Sequence, residues 1–212
     1  MNERAPAENV DLARRAEPRQ KRSEARIQKI VEATKTLLER GEGDAITTSA
    51  VAAEAGVPVS SVYRYFPNIY SIHRTILEEF KAETDRIVTE RLADPGDMDW
   101  RVSLTGMITG LRELIDSNPS YGAVFRLTLT AHELRSVRED WNLRLASRLA
   151  ERWRNGADGF RNGDPDLVAR MAVEIYCAAE ILVFEERDRE RAQACFGEAL
   201  TALERYLNAY LE

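Results

Sequence analysis

Apolar residues recur at spacings of three and four along most of the chain, which is the period of amphipathic α-helices. The first such stripe covers residues 23–40 and consists of Ile27, Ile30, Val31, Thr34, Leu37 and Leu38. Comparable stripes cover residues 70–92, 100–117, 120–131, 133–153, 165–184 and 190–211. The pattern lacks the alternation of apolar and polar residues that indicates β-strands. The sequence therefore predicts an all-α protein.

Residues 46–68 break this pattern and predict two short helices joined by a tight turn. Thr47 or Thr48 can cap the first helix, because a threonine hydroxyl accepts from the unpaired N–H groups of the opening turn. Gly56 supplies the left-handed conformation at which helices commonly end. Pro58 suits the start of the second helix, where a missing N–H costs little. The segment therefore predicts a helix-turn-helix.

This segment resembles the DNA-binding unit of the TetR family of bacterial transcriptional regulators, whose pattern reads roughly T-T-x-x-I-A-x-x-A-G-V-S-x-G-S-L-Y-x-Y/H-F-x-x-K. The residues that carry the pattern here are Thr47, Thr48, Val51, Ala52, Ala55, Gly56, Val57, Ser61, Val62, Tyr63, Tyr65 and Phe66. Three positions depart from it: Pro58 replaces the usual serine, Ser60 the usual glycine and Ile69 the usual lysine. These departures concern operator sequence and affinity rather than the fold.

The resemblance implies an N-terminal three-helix bundle with a helix-turn-helix, followed by a larger helical ligand-binding and dimerisation domain. We expect a disordered basic arm at residues 1–22, a DNA-binding domain at 23–68 and an effector-binding and dimerisation domain at 69–212. The Arg and Lys clusters of the arm can reach a neighbouring minor groove, as basic arms do in other modules. The alternative for the arm is a solvated tail with no defined role.

The last two predicted helices have wide apolar faces, which are typical of helices that form both a core and an interface. The resemblance implies that residues 166–184 and 191–210 pair with those of a second subunit as a four-helix bundle. The sequence therefore predicts a homodimer, with burial of both faces inside one chain as the alternative.

The net charge of −6 is unusual for a DNA-binding protein until it is mapped along the chain. Residues 14–66 contain ten Lys and Arg against seven Asp and Glu, so the acidic surplus lies elsewhere. This asymmetry favours an approach to phosphates by the N-terminal part alone.

Composition also bears on the compartment. No apolar run reaches the length needed to span a bilayer, and residues 1–22 are polar, so we expect neither a membrane helix nor a signal peptide. Cys177 and Cys195 lie in apolar helical patterns, which favours reduced thiols in a cytoplasmic protein over a disulfide between them.

The predicted DNA-binding residues are Thr47, Thr48, Ser49, Pro58, Val59, Ser60, Ser61, Tyr63, Arg64 and Tyr65. The first three open a helix whose N–H groups and dipole favour a phosphate, although Thr47 can act only as a cap. The resemblance implies phosphate contacts by Tyr63 and Tyr65, one of which can instead pack beneath the helix. Arg64 can contact guanine or only a phosphate, and Val59 can contact a thymine methyl group.

The resemblance also implies a ligand cavity inside the helices after the first domain. The candidate lining residues are Met107, Tyr121, Phe125, His132, Trp141, Tyr176 and Glu180, with Trp100 and Arg126 as further candidates. An aromatic residue at helical spacing belongs to a solid core more often than to a cavity. A mostly apolar cavity would suit a hydrophobic small molecule.

The sequence offers little for catalysis. His73 and His132 are its two histidines, and neither has a metal-ligand spacing with cysteine or carboxylate residues. We therefore predict no catalytic residue, metal or cofactor, and no enzyme activity. The prediction is a homodimeric TetR-like transcriptional regulator, repressor rather than activator, that binds a palindromic operator and releases it on binding an effector. The alternative is a dimeric helical ligand-binding or scaffold protein whose DNA-binding head is weakened at Pro58, Ser60 and Ile69.

Overall fold

The computed structural model describes residues 13–41, 43–93, 98–186 and 188–212. These residues form nine α-helices and contain no β-strand, which confirms the predicted all-α fold. The helices are α1 (Ala13–Glu39), α2 (Thr48–Ala55), α3 (Val59–Tyr65), α4 (Ile69–Leu92), α5 (Trp100–Ser117), α6 (Pro119–Thr130), α7 (His132–Arg154), α8 (Pro165–Glu185) and α9 (Arg189–Leu207). Two short 3₁₀ turns lie at Gly43–Ala45 and Ala157–Gly159.

Helix α1 begins at Ala13, earlier than the start at Ser23 that the apolar stripe predicts. The added residues are mostly Ala, Arg, Glu, Gln and Lys, which lose little side-chain freedom in a helix, so the helix continues without an apolar face. The helical residues 13–22 thus differ from the predicted arm. Its remaining residues, 1–12, lie outside the part that the structure describes.

Helix α9 ends at Leu207 rather than near Leu211. The chain turns there and pairs with the segment between α7 and α8, where Arg161 N donates to Tyr210 O at 3.0 Å and Glu212 N donates to Asp158 O at 3.1 Å. The Phe160 ring stacks on Tyr210 with centroids 6.4 Å apart. These contacts explain why the last residues leave the helix.

Two large apolar cores hold the helices together. The first core joins α1–α4 to α5, α6 and α7, with Val51, Val62, Ile72, Phe80 and Val124 among its buried members. The second core lies among α5, α7, α8 and α9 around Trp100, Ile108, Trp153 and Leu203. Because the first core includes residues from both sides of position 68, the N-terminal helices pack directly on the helices that follow them.

The outer side of α8 remains apolar and exposed. Leu167, Met171 and Leu182 are exposed by 61%, 43% and 58%. They recur at helical spacing, so they form one stripe along the helix. None of the described helices is both long enough and apolar enough to cross a membrane.

Candidate nucleic-acid interface and ligand cavity

Helices α2 and α3 form a tight helix-turn-helix at the N-terminal end of the molecule. The Thr47 side chain caps α2 by accepting from Ala50 N at 3.2 Å. Gly56 ends α2 with φ 63° and ψ 38°, and Val57 N donates back to Ala52 O at 3.0 Å. This left-handed residue reverses the chain within a few positions, as only glycine does readily.

Hydrogen bonds and apolar contacts fix the position of α3. Thr48 Oγ1 donates to the Tyr63 hydroxyl at 2.9 Å, which joins α2 to α3. Arg26 Nη1 of α1 donates to Ser61 Oγ at 3.3 Å. Val62 is fully buried beneath the helix. The inner face of α3 is therefore held by both neighbouring helices, and its outer face is presented in a fixed orientation.

An ion pair fastens α2 to the end of α1. Arg40 Nη1 and Nη2 donate to the two carboxylate oxygens of Glu54 at 2.8 and 3.0 Å. Such a two-pronged pair fixes orientation as well as distance. It also neutralises an acidic group on α2 that would repel phosphates.

The outer face of the motif carries most of the predicted DNA-binding residues. The exposed members are Thr47, Ser49, Pro58, Val59, Ser60, Tyr63 and Arg64. Tyr63 is exposed by 54%, and Arg64 forms no hydrogen bond or ion pair within the described part of the chain. An unpaired guanidinium, hydroxyl groups and a valine side chain on one exposed surface can contact phosphates and base edges.

Three of the predicted residues have a different position. Tyr65 packs against the first core, and its hydroxyl lies 3.1 Å from Ser23 Oγ of α1. It is therefore the tyrosine that packs beneath the helix, whereas Tyr63 is the exposed one. Thr48 and Ser61 are partly buried and take part in the interhelical hydrogen bonds described above. Ile69, which stands at the family's lysine position, packs against the first core.

A cavity, here called the main cavity, lies among α4, α5, α7, α8 and α9. It is partly open to solvent, and the volume within it that is accessible to the centre of a water-sized molecule is about 70 Å³. Its lining consists of Arg91, Leu92, Trp100, Ser103, Leu104, Met107, Ile108, Leu111, Leu145, Leu149, Arg152, Trp153, Asp158, Ala172, Val173, Tyr176, Leu203, Leu207 and Leu211. A mostly apolar lining with a few polar groups is typical of small-molecule sites.

The charged groups at one end of the main cavity are paired with each other. Arg152 donates to the two carboxylate oxygens of Asp158 at 2.8 and 2.7 Å, and Trp153 Nε1 donates to the same carboxylate at 3.1 Å. The Arg152 and Asp158 side chains are exposed by only 8% and 7%. A buried pair of this kind contributes structure and leaves little net charge for a ligand.

Two polar groups of the lining are buried without a hydrogen-bond partner among the described residues, namely Trp100 Nε1 and Ser103 Oγ. Trp100 itself is exposed by only 3%. Buried donors are normally paired in folded proteins, with protein groups or with ordered water, so these two groups are available to a bound molecule that brings an acceptor.

The main cavity contains only part of the predicted ligand-binding set. Met107 and Tyr176 line it, as does Trp100. Tyr121, Phe125 and Trp141 instead surround the Phe80 ring at centroid distances of 5.1, 6.5 and 5.6 Å, within or against the first core. His132 and Arg126 lie outside both the cavity lining and the first core. The sequence pattern predicts that these residues form one ligand-binding set. The structure instead places some of them in a solid core, some in the cavity lining and the others elsewhere.

Glu180 lies next to the main cavity rather than in its lining. It lines a smaller neighbouring cavity together with Arg112, Ile115, Tyr176, Ala179, Val183, Phe196 and Ala199. Tyr176, which lines both cavities, donates its hydroxyl proton to Glu180 Oε1 at 3.1 Å. Burial raises the pKa of the Glu180 carboxyl to about 7 and raises the pKa of Tyr176 well above its ordinary value.

Sequence reasoning missed Arg91 and Ser103 of the main cavity. Ser103 follows Trp100 by three positions on the otherwise apolar face of α5, and this interruption of the stripe is a signal that the sequence contains. Arg91 carries no such signal, because it is one of several arginines on a charged helix. Cys177 and Cys195 are both free in the structure, and no group of described residues has three side chains placed to hold a metal.

Two family models match the chain. The model described as "Bacterial regulatory proteins, tetR family" matches residues 30–73, and the "Tetracyclin repressor-like, C-terminal domain" model matches residues 99–207. The first match covers α2 and α3 with part of α1 and the start of α4, and the second covers α5–α9, which supply most of the lining of the main cavity. No curated protein matches the chain.

Solved structures show the same architecture. A TetR-family transcriptional regulator from Streptomyces coelicolor is 28% identical, with a TM-score of 0.58 over 88% of this chain and 99% of that one. SmeT, the repressor of the Stenotrophomonas maltophilia multidrug efflux pump SmeDEF, is 18% identical, with a TM-score of 0.64 over 88% of this chain and 90% of that one. The multidrug binding protein EbrR, solved with imidazole, is 22% identical, with a TM-score of 0.62 over 84% of this chain and 94% of that one. With both family models matched in order along the chain and the helix-turn-helix in place, this protein belongs to the TetR family of transcriptional regulators.

Proposed function

We propose that the protein is a dimeric repressor that binds a palindromic operator through the exposed face of α3 and releases it when a hydrophobic small molecule occupies the main cavity. The observation that carries this proposal is the outer face of the helix-turn-helix, where Arg64 and Tyr63 are exposed while hydrogen bonds to α1 and α2 fix α3. A DNA-reading helix needs such a fixed orientation, because each base contact depends on register in the major groove.

The proposed roles are DNA binding by residues 23–68 and effector binding and dimerisation by residues 69–212, in the cytoplasm. SmeT is described as the repressor of an efflux pump, one SmeT structure is a complex with triclosan, and EbrR is described as a multidrug binding protein. These descriptions support a repressor with a small-molecule effector. The apolar lining of the main cavity supports a hydrophobic one.

The exposed apolar stripe of α8 supports the dimer. Leu167, Met171 and Leu182 have no partner within the described chain that covers them. Contiguous exposed apolar surface marks protein–protein contacts. A second copy packing α8 and α9 against the same helices would bury this stripe and place two α3 helices roughly 34–36 Å apart, or a multiple of that, across successive major grooves.

Helix α4 connects the helix-turn-helix to the main cavity. It starts directly after α3 at Ile69 and ends with Arg91 and Leu92 in the lining of the main cavity. Its 24 residues extend over roughly 36 Å as a single rigid element. A ligand that shifts the cavity end of α4 changes the separation of the two heads and thereby favours the conformation that does not fit the operator.

The test is a gel shift with the DNA that flanks the protein's own gene. We expect a specific complex that Arg64→Ala weakens by roughly tenfold or more, because one bidentate base contact contributes about 1–3 kcal/mol. Arg144→Ala, which removes an exposed arginine from α7, is the matched control and should leave the complex unchanged. Affinity should also fall steeply as salt rises, through counterion release.

The alternative of a scaffold protein with a weakened head makes the opposite prediction. A folded dimer that shows no salt-dependent binding to any DNA would support it and contradict the repressor. Equal loss of binding in Arg64→Ala and Arg144→Ala would instead show that DNA contact is not centred on α3.

A further inference from the structure

We propose that the main cavity selects amphipathic anions, in which an apolar body carries a carboxylate or a comparable anionic head rich in hydrogen-bond acceptors. The head would be held by Arg91, Trp100 and Ser103. This inference rests on the proposed function in one respect, which is that the main cavity is the effector site. It adds the sign of the charge and the hydrogen-bonding character of the ligand.

The first support is a pair of buried donors. Trp100 Nε1 and Ser103 Oγ are buried in the lining and lack a partner among the described residues. An indole N–H can only donate, and a serine hydroxyl can donate as well as accept. Leaving a buried donor unpaired costs as much as a lost hydrogen bond, so a ligand that brings an acceptor regains this energy.

The second support is the guanidinium of Arg91, which lines the same cavity as these donors. Arg91 Cζ and Nη1 lie 3.2 Å from the position that a Cβ atom on Gly106 would occupy, so the guanidinium rests against α5 where that helix has no side chain. Ser103 is one helical turn from Trp100 on one side and one turn from Gly106 on the other, so it lies between the indole and the position against which the guanidinium rests. Among the described residues Arg91 forms no ion pair and no hydrogen bond, and this exposed residue is part of the cavity lining. Guanidinium groups bind carboxylates in a two-pronged geometry.

The third support is that the acceptors of the site are already occupied. The carboxylate of Asp158 receives hydrogen bonds from Arg152 and from Trp153 Nε1. The Tyr176 hydroxyl donates a hydrogen bond to Glu180, which faces the smaller neighbouring cavity. Within the described lining, no carboxylate remains free to hold a cationic ligand. The unsatisfied groups of the main cavity are therefore donors and a positive charge.

The remainder of the lining fits an apolar body. Beyond the α5 donors the cavity is walled mainly by Leu104, Met107, Leu111, Leu145, Val173 and Leu203. These side chains come from four different helices, and an apolar chain between them would be removed from water on all sides. The lining thus combines a few polar groups with a mainly apolar surface, as an amphipathic molecule requires.

The test compares three probes of equal chain length, decanoate, 1-decanol and decylammonium, by titration calorimetry on the purified full-length protein. Quenching of the Trp100 and Trp153 fluorescence reports occupancy independently, because both indoles line the cavity. We expect decanoate to bind at least tenfold more tightly than decylammonium. Arg91→Gln should reduce decanoate affinity roughly tenfold while leaving 1-decanol unchanged, since only the charged head contacts the guanidinium. Ser103→Ala should give a smaller loss for decanoate.

The matched control is Arg86→Gln, which removes an exposed arginine from the same helix but outside the cavity lining. It should bind all three probes as the unmodified protein does. Equal affinity for decanoate and decylammonium, tighter binding of decylammonium, or no binding of any probe would overturn the inference. Because operator binding is measured separately by gel shift, these outcomes leave the DNA-binding proposal standing. Conversely, anion selectivity in a protein that binds no DNA would support the cavity inference and contradict the repressor.

Discussion

At the scale of single residues, the most informative group outside the two sites is a buried histidine. His73 lies in the first turns of α4, is exposed by 3%, and neither of its ring nitrogens has a hydrogen-bond partner within the described chain. Tyr70 approaches it edge-on, with ring centroids 6.4 Å apart. Burial lowers the pKa of His73 from 6.5 to about 4. The imidazole is therefore held neutral close to the core that joins the head to the rest of the molecule.

This histidine should make folding sensitive to mild acid. Because its folded-state pKa lies below the unfolded value, the unfolded chain binds more protons between these two pKa values, and stability falls as the pH decreases from about 6.5 towards 4. From pH 7 to pH 5 we expect a loss of about 2 kcal/mol from this group. His73→Leu should remove that loss, measured by urea denaturation at both pH values.

His73→Gln is the companion variant, because it also abolishes the titration but keeps a polar side chain in the interior. Both variants should show a flatter pH dependence than the unmodified protein, whatever their stability at pH 7. An unchanged pH dependence in both would contradict the assignment of this sensitivity to His73.

At the scale of elements, local sequence decides where the short helices start and stop. Thr47 caps α2, and Asn68 caps α4 through a reciprocal pair of bonds with Ser71, in which Ser71 N donates to Asn68 Oδ1 at 3.0 Å. Gly56 ends α2 in a left-handed conformation. Because α2 and α3 have only eight and seven residues, they are too short to be stable alone, and their caps, turn and buried face must act together.

The turn glycine gives a test at this scale. Apart from its two chain neighbours, no atom lies within 4 Å of a Cβ atom built on Gly56, so a side chain would have open space and only the φ of 63° opposes it. Gly56→Ala should therefore destabilise the protein by about 1 kcal/mol, the cost of a left-handed conformation for an L-residue. Gly56→Asn should cost clearly less, since asparagine tolerates this region. Thermal denaturation of both variants makes the comparison, and equal stability of the Gly56→Ala and Gly56→Asn variants would show that backbone conformation is not the cause.

At the scale of the whole molecule, one core and one long helix connect the proposed DNA-binding face to the main cavity. The first core includes side chains of α1–α4 together with α6, and Lys35 of α1 pairs with Glu79 of α4 at 2.7 Å. The head is thus packed on the larger domain and not attached through a flexible linker. We expect a displacement at the cavity end of α4 to reach the head, because close-packed helices move as units.

The proposed dimer gives the test at this scale. Leu182→Arg places a charge in the exposed apolar stripe of α8 and should convert the dimer to a monomer in analytical ultracentrifugation, because an unpaired charge buried at an interface is costly. Leu143→Arg is the matched control: Leu143 is exposed by 48% on α7, outside this stripe. Dissociation by both variants, or by neither, would contradict an interface centred on α8.

The helices and the helix-turn-helix could be predicted from the amino-acid sequence alone, because both depend on short-range patterns. Apolar spacing indicated the position and length of most helices, and Thr47, Gly56 and Pro58 specified the caps and turn from within their own segment. The predicted boundaries were wrong at Ala13 and Leu207, where the apolar stripe does not indicate the end of the helix. The residues after Ala13 are helical without an apolar face. The residues after Leu207 leave the helix and pair with the segment between α7 and α8.

Tertiary packing, in contrast, determined which inward-facing residues fill a core and which surround a cavity. Helical periodicity identifies the buried face of each helix, but whether facing helices meet closely or leave a gap depends on side chains from several helices at once. Tyr121 and Trp141 therefore pack around Phe80 while Tyr176 and Met107 line the main cavity, although their sequence patterns are alike. The same reason separates exposed Tyr63 from packed Tyr65: helix α1, distant in sequence, covers one side of α3 and leaves the other free.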